Sequence, residues 1–307
     1  MLAYTLRRIV GLLPTLFVLI TLSFFIIRLA PGGPFDQEQA LSPEIRANLD
    51  AAYGLDQPLL VQYGRYLADL AQGDLGPSLR FKDFRVTELI AKGLPLSLTI
   101  GVAAALLAFL AGVPLGAWAA WRRESTGARI LMNLTLLGVV LPGFVVGPLL
   151  ALVFGIYWPV FRVGGYEPGE VSFLVLPVIT LALPVTAYVA RLTRDSMREV
   201  LQANYIRTAR AKGLSSRVVL MRHALRPALV PVVSYLGPAV AFVITGSLVV
   251  ESVFGLPGSG RYLVQGAIDR DYTLVMGMIL VYGAFTLLCN LLADLIYGWL
   301  DPRVRVA

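Results

Sequence analysis

The sequence predicts an all-α membrane protein. Three features carry that reading: a shortage of charged residues, long uninterrupted apolar blocks, and basic residues gathered in alternate connections. Charged residues make up 15% of the 307 and hydrophobic ones 57%, whereas a soluble domain has about a quarter of its residues charged to face water. The apolar residues fall in blocks that match the roughly 20 residues a helix needs to cross a bilayer. A net charge of +7 would suit nucleic acid in a soluble chain. Here it follows from the arginines that cytoplasmic loops collect, so the lipid bilayer is the expected partner and nucleic acid is not.

Six segments are long and apolar enough to span: residues 9–27, 94–121, 130–158, 171–190, 228–250 and 274–298. The two longest are expected to tilt or to extend beyond the lipid. Trp118, Trp121, Trp158, Tyr297 and Trp299 fall near segment ends, where amphipathic rings favour the interface. The first segment reads as an uncleaved anchor, because its apolar run exceeds the roughly 7–15 residues of a signal peptide and no A-x-A site follows Arg28. Pro142, Pro148, Pro177, Pro184, Pro231 and Pro238 lie in or near spans and should kink them. Gly112 and Gly116, like Gly143 and Gly147, have the four-residue spacing that lets helices approach closely.

Orientation follows from the connections. Arg7 and Arg8, Arg122, Arg123 and Arg129, the loop 191–227, and Arg303 and Arg305 place 16 basic residues on one side. The opposite side holds 10 basic residues against 14 acidic ones. Both termini are therefore expected in the cytoplasm. Three regions result: residues 1–93, with the first span and a periplasmic helical segment; 94–300, the transmembrane domain containing the cytoplasmic loop 191–227; and a tail, 301–307. Within the outer segment, Ser42-Pro43-Glu44 reads as a helix start and Gly54 as its stop. A second helix should begin at Asp56-Gln57-Pro58, present Leu59, Leu60, Tyr63, Leu67 and Leu70 on one face, and end at Gly73.

Catalytic chemistry is hard to find. No Gly-Lys dipeptide occurs, which removes any Walker-type phosphate loop, and no G-x-S-x-G or H-E-x-x-H is present. One cysteine, Cys289, and one histidine, His223, exclude an intrachain disulfide and a two-histidine metal motif. Asn133, Asn290 and Asp294 are the conspicuous polar residues within spans. Asp294 lies within two turns of the cytoplasmic end, where an ion pair or hydrogen bond is favoured over a transport role. The loop 251–272, with Gly255, Pro257, Gly258 and Gly260, reads as a constrained re-entrant turn near an outer gate. Glu251, Asp271, Tyr272 and Asp294 are the candidate translocation or gate residues.

The most informative stretch is N-Y-I-R-T-A-R-A-K-G-L, residues 204–214. Asn204 is a suitable N-cap, helix-compatible residues follow, and Gly213 is a natural stop, giving a helix about 12 Å long. Ser215 or Ser216 should cap a second helix ending near Pro227. Such a rigid short helix suits docking on a partner, and equally suits an inner-leaflet helix held by its arginines.

The segment resembles the EAA signature of ABC importer membrane subunits, with Ala209 and Gly213 at its second alanine and its glycine. Arg207 stands where that signature has glutamate and Arg226 where it has proline, departures that fit the peptide and nickel permease branch. The likeness extends to Leu6-Arg7-Arg8, Arg28-Leu29-Ala30-Pro31-Gly32, Gly73-Asp74-Leu75-Gly76-Pro77-Ser78, Val253-Phe254-Gly255-Leu256-Pro257-Gly258, Arg270-Asp271-Tyr272 and Leu300-Asp301-Pro302-Arg303. Pro34-Phe35 and Ile244-Thr245-Gly246-Ser247 are most similar to the B-type subunits of the oligopeptide and dipeptide importer family, its oligopeptide members above all. The resemblance implies the type I importer permease fold. It also implies a second homologous permease subunit, two ABC ATPase subunits that bind ATP and Mg, a periplasmic peptide-binding protein and a peptide substrate. No cofactor is implied in this chain. Tyr205, Ile206, Arg207, Thr208, Ala209, Arg210, Ala211, Lys212 and Gly213 would form the ATPase-coupling element, with Ala209 at the closest approach. A stand-alone channel or secondary transporter is the other class of reading. It would need inverted repeats and ionisable groups along the spans.

Overall fold

The computed structural model describes residues 2–35, 42–81 and 83–300. The side chains of Arg7, Tyr297 and Trp299 and the tail 301–307, with Arg303 and Arg305, lie outside the described residues. Helices follow in the order α1 (Leu2–Leu29), α2 (Pro43–Ala52), α3 (Leu59–Ala71), α4 (Val86–Trp121), α5 (Thr126–Val140) and α6 (Gly143–Ala151). Next come α7 (Ser172–Gln202), α8 (Asn204–Ala211), α9 (Ser216–Val218), α10 (Leu225–Ala228), α11 (Val230–Ser234), α12 (Leu236–Phe254), α13 (Ser259–Ile268) and α14 (Tyr272–Leu300). Short π-helical turns occupy Leu152–Tyr157 and Val219–Ala224.

Five of these helices are long and apolar enough to cross a membrane, and a sixth candidate is a bent pair. The segment expected as one uninterrupted span, 130–158, breaks after α5, where the chain turns by 105°. Pro142 explains the break: it has no N–H to donate, and its ring drives the preceding Leu141 to an extended conformation of φ −82° and ψ 118°. The other predicted spans are longer or more divided than the hydropathy blocks. Val86 starts α4 ahead of residue 94, α7 continues beyond 190 to Gln202, and the stretch 225–254 is split into α10, α11 and α12.

The chain forms two compact units. One gathers the residues up to Ile9, Leu96–Pro257 and the residues from Phe285 onward. Its hub is α7, on which α5, α6 and α12 pack. The core there includes Ile100, Leu176, Val185, Val189, Val243 and Phe254. The Gly112/Gly116 pair has its predicted use: a Cβ on Gly112 would sit 2.8 Å from the Val189 side chain, and one on Gly116 would run into the Ala190 carbonyl. Small residues allow the two backbones this approach. Gly116→Leu should therefore force α4 and α7 apart, at a cost of about 3 kcal/mol or more. A lowered melting temperature of the purified protein is the expected result, and an unchanged one would refute the packing role.

The second unit comprises Val10–Pro95 and Gly258–Ala284. Ser42 caps α2 by accepting a hydrogen bond from the Ile45 amide at 3.4 Å, with Pro43 in the first turn. Gly54, at φ +65°, ends that helix as expected. On α3, Tyr63 and Tyr66 pack against the buried Phe24 of α1, with ring centroids 5.2 and 5.9 Å away. Leu60, expected on that face, is 74% exposed, and Tyr66 takes the packed position instead. The reason is angular: Leu60 and Tyr66 lie on opposite flanks of Tyr63, and the packed side is the one that carries Gln62, Tyr66, Asp69 and Leu70.

Candidate functional site

The short helix α8 is clipped between α7 and the segment that follows it. Ala203 ends α7 and begins α8 with a single extended conformation, φ −65° and ψ 148°. Because one residue serves both helices, Asn204 is the first helical residue and not the N-cap that its type suggested. The Thr208 hydroxyl donates to its carbonyl at 3.1 Å. At the other end, Gly213 has φ +77°. The Leu214 amide donates to the Ala209 carbonyl and the Gly213 amide to Arg210, which is the Schellman closure that glycine makes cheap.

Burial divides α8 into faces. Ile206 is 0% and Ala209 7% exposed. Both pack into a cluster with Ala120, Met197, Val219, Ala224 and Ala228. The expectation that Ala209 stands at the closest approach to a partner is therefore corrected: it faces this chain's own core. Ile206 and Ala209 form the apolar i, i+3 pair that holds α8 to the membrane domain. The outward side carries Asn204, Thr208 and Ala211, with Tyr205 and Lys212 on one flank and Arg207 and Arg210 on the other. The nearby His223 lies in a π-helical turn and is only partly buried.

Of the candidate gate residues, Glu251 and Asp294 belong to the first unit and Asp271 and Tyr272 to the second. Asp294 pairs with Arg8 at 2.7 Å within the first unit, the ion pair that its position favoured. Glu251 is fully buried in α12, one turn before Gly255 closes that helix at φ +64°. In the second unit Asp271 is 0% exposed. One of its oxygens accepts from the Ser78 hydroxyl at 2.5 Å and from the Leu79 and Arg80 amides at 3.1 and 3.2 Å. The other accepts from the Leu274 amide at 3.0 Å, while the Thr273 hydroxyl beside it donates to the Pro77 carbonyl at 2.6 Å. A carboxylate engaged by four donors holds its surroundings still, so Asp271 reads as a fastener and not as a moving gate group. Tyr272 donates to the Gly32 carbonyl at 2.6 Å, and the Arg28 guanidinium lies 5.0 Å from its ring centroid. A Cβ on Gly32, at φ +90°, would meet the Arg270 guanidinium.

Three motifs far apart in the chain thus converge: residues 28–32, 73–78 and 270–272. Ser78, Asp271 and Tyr272 were each visible as members of motifs. Their pairing across 193 and 240 residues had no sequence signal. The inward face of α8 did have one, in the spacing of Ile206 and Ala209 among polar neighbours.

Helices long and apolar enough to span a membrane, with a short helix anchored to them by its apolar face, define a multi-pass membrane protein. Residues 112–306 match the family described as "Binding-protein-dependent transport system inner membrane component", and residues 1–79 match "Binding-prot-dependent transport system membrane comp, N-term". The chain belongs to this family of inner-membrane permease components of ABC transport systems. It is 48% identical over 305 residues, 99% of the chain and 100% of the relative, to the oligopeptide transport system permease protein OppB of Haemophilus influenzae. Identity and coverage are the same for OppB of Escherichia coli K12. The dipeptide transport system permease protein DppB of Bacillus subtilis is 38% identical over 99% of the chain and 98% of that protein. Among solved structures, the MetNI methionine ABC transporter in inward-facing conformations superposes with a TM-score of 0.56 at 17% identity, over 69% of this chain and 96% of that one. An amino acid ABC transporter with histidines gives 0.51 at 20% identity, over 69% and 94%. These two likenesses concern the fold.

Proposed function

We propose that this chain is the membrane-spanning permease subunit of an ATP-driven importer of peptides, oligopeptides in particular. The observation that carries the substrate class is the 48% identity to OppB along the whole chain, against 38% to DppB. A dipeptide or nickel importer is the alternative within the family. A stand-alone channel is disfavoured, because Asp294 is tied to Arg8 and Asp271 to four donors. ATP and Mg would bind to two partner ATPases, since this chain has no phosphate-cradling loop. A second permease subunit and a periplasmic peptide-binding protein would complete the assembly. Closure of the ATPases would move α8 and turn the spans between inward-facing and outward-facing states. The outward face of α8, centred on Thr208 and Ala211, would receive the ATPase.

Affinity purification from the native membrane tests this reading. Two ATPases and a second permease subunit should co-purify, and the complex should take up labelled peptides of three to six residues. Recovery of the chain alone, active as a transporter, would overturn it.

Topology has its own test, with Cys289 replaced to remove background. Ser42→Cys should react with an impermeant thiol reagent from outside, and Ser215→Cys only after permeabilisation. Both side chains are exposed, so the reverse pattern would invert the orientation.

A further inference from the structure

We infer that the basic cleft beside α8 is a binding site for the phosphate headgroup of an anionic phospholipid of the inner leaflet. The inference rests on the orientation read above, which puts loop 191–227 in the cytoplasm. The cleft has a volume of about 580 Å³ and is lined by Trp121, Arg123, Arg198, Leu201, Arg207 and Arg210 among others. Three secondary elements build it: the end of α4, the tail of α7 and one flank of α8.

Charge is the first argument. Arg198 comes from α7, and Arg207 and Arg210 stand one turn apart on α8, so three guanidinium groups from two helices face one volume. Among the described residues none of these three has a carboxylate partner, whereas Arg123 leans to Glu124 at 3.5 Å and Arg194 to Asp195 at 3.8 Å. Like charges held together repel, and an anion between them relieves that repulsion. Guanidinium forks match the oxygens of a phosphate with paired hydrogen bonds.

Depth is the second argument, and it selects lipid over an acidic protein surface. Trp121 is the last residue of α4, a helix long and apolar enough to span the membrane. An indole at such an end sits at headgroup level. Ala120 and Leu201 add apolar wall beside the arginines, as a site for an amphipathic ligand requires. Basic pockets between spanning helices on the cytoplasmic side take anionic headgroups for these reasons. The proposed protein-docking face of α8 is centred on Asn204, Thr208 and Ala211, and Arg207, one turn from Ala211, stands at the border between that face and the cleft.

The test is native mass spectrometry of the purified importer complex, titrated with phosphatidylglycerol, phosphatidylcholine or soluble glycerol phosphate. Phosphatidylglycerol should bind in preference to phosphatidylcholine, and glycerol phosphate more weakly than the lipid. The triple variant Arg198→Gln, Arg207→Gln, Arg210→Gln should weaken phosphatidylglycerol binding on the order of a hundredfold. Arg198→Gln alone leaves α8 untouched, is read in parallel should the triple variant fail to assemble, and should cost about fivefold. The control Arg217→Gln, Arg222→Gln removes exposed arginines outside the cleft and should stay within about twofold. Equal binding of phosphatidylcholine, an equal loss in the control, or no change in either cleft variant would overturn the proposal. Glycerol phosphate binding as tightly as lipid would make this a free-phosphate site. Loss of the ATPases with lipid binding intact would make it a protein contact.

Discussion

Ala211→Glu should strip the ATPases from the complex and abolish peptide uptake, while the membrane domain stays folded. Ala211 is exposed on the outward side of α8, so a glutamate there is solvated in the free chain and costs the fold little. On docking, the added bulk and the desolvation of the carboxylate, offset only in part by Arg207 one turn away, carry a penalty of roughly 3 kcal/mol or more. That corresponds to a loss of association of more than a hundredfold. Ala209→Glu should fail differently. Ala209 lies against Met197, Val219 and Ala224, so its carboxylate would be buried within this chain and would expel α8 from its seat. The discriminating readout is limited proteolysis of loop 191–227 beside ATPase recovery. Ala211→Glu is expected to keep wild-type proteolytic resistance, Ala209→Glu to lose it, and both to lose the ATPases. Full ATPase recovery with Ala211→Glu would mean that α8 is not the coupling element.

Asp271→Ala is expected to unfasten the second unit, with the largest loss of stability of any single substitution outside the apolar core. The substitution leaves the Ser78 hydroxyl and the Leu79, Arg80 and Leu274 amides without their acceptor. Hydrogen bonds to a charged group contribute about 1.5–3 kcal/mol each. Even with partial rescue by water and by local rearrangement, the net cost should exceed about 4 kcal/mol. Part of it is the lost cap at the start of α14, where the Leu274 amide is the third helical donor. Asp271→Asn should be milder than alanine yet still damaging, since one acceptor oxygen becomes a donor facing donors. Hydrogen exchange at residues 78–81 and 271–275 should rise sharply in the alanine variant. If those amides keep wild-type protection, the carboxylate is not what holds the motifs together.

Some elements could be read without coordinates because their causes are local. Ser42-Pro43 starts α2, Gly54 stops it and Gly213 stops α8, each through the φ preference or hydrogen-bonding reach of one side chain. Asn204 misled for a reason equally local in origin but set by context: a turn of one residue between two helices left no position outside α8 for it to cap. Leu60 misled because the packed face of α3 is turned toward the opposite flank of Tyr63, where Tyr66 meets Phe24. The break after α5 was half legible. Pro142 announced a kink, but the 105° turn depends on what α5 and α6 pack against.

By itself the sequence determined that this is a multi-pass helical membrane protein without a phosphate-binding loop. Its motifs resemble those of importer permeases, a likeness to known sequences; its own spacing further determined that a short helix stopped by Gly213 stands in a basic loop. These are properties of composition, period and short spacing, which a one-dimensional string records in full. The spacing of Ile206 and Ala209 marked an inward face on α8, but that Met197, Val219 and Ala224 meet this face was decided only by the tertiary structure. It alone joined Ser78 to Asp271 and Tyr272 to Gly32, and gathered Arg198, Arg207 and Arg210 around one cleft. Those outcomes depend on which distant segments share space, and burial and hydrogen bonding across nearly two hundred residues leave no mark on local pattern.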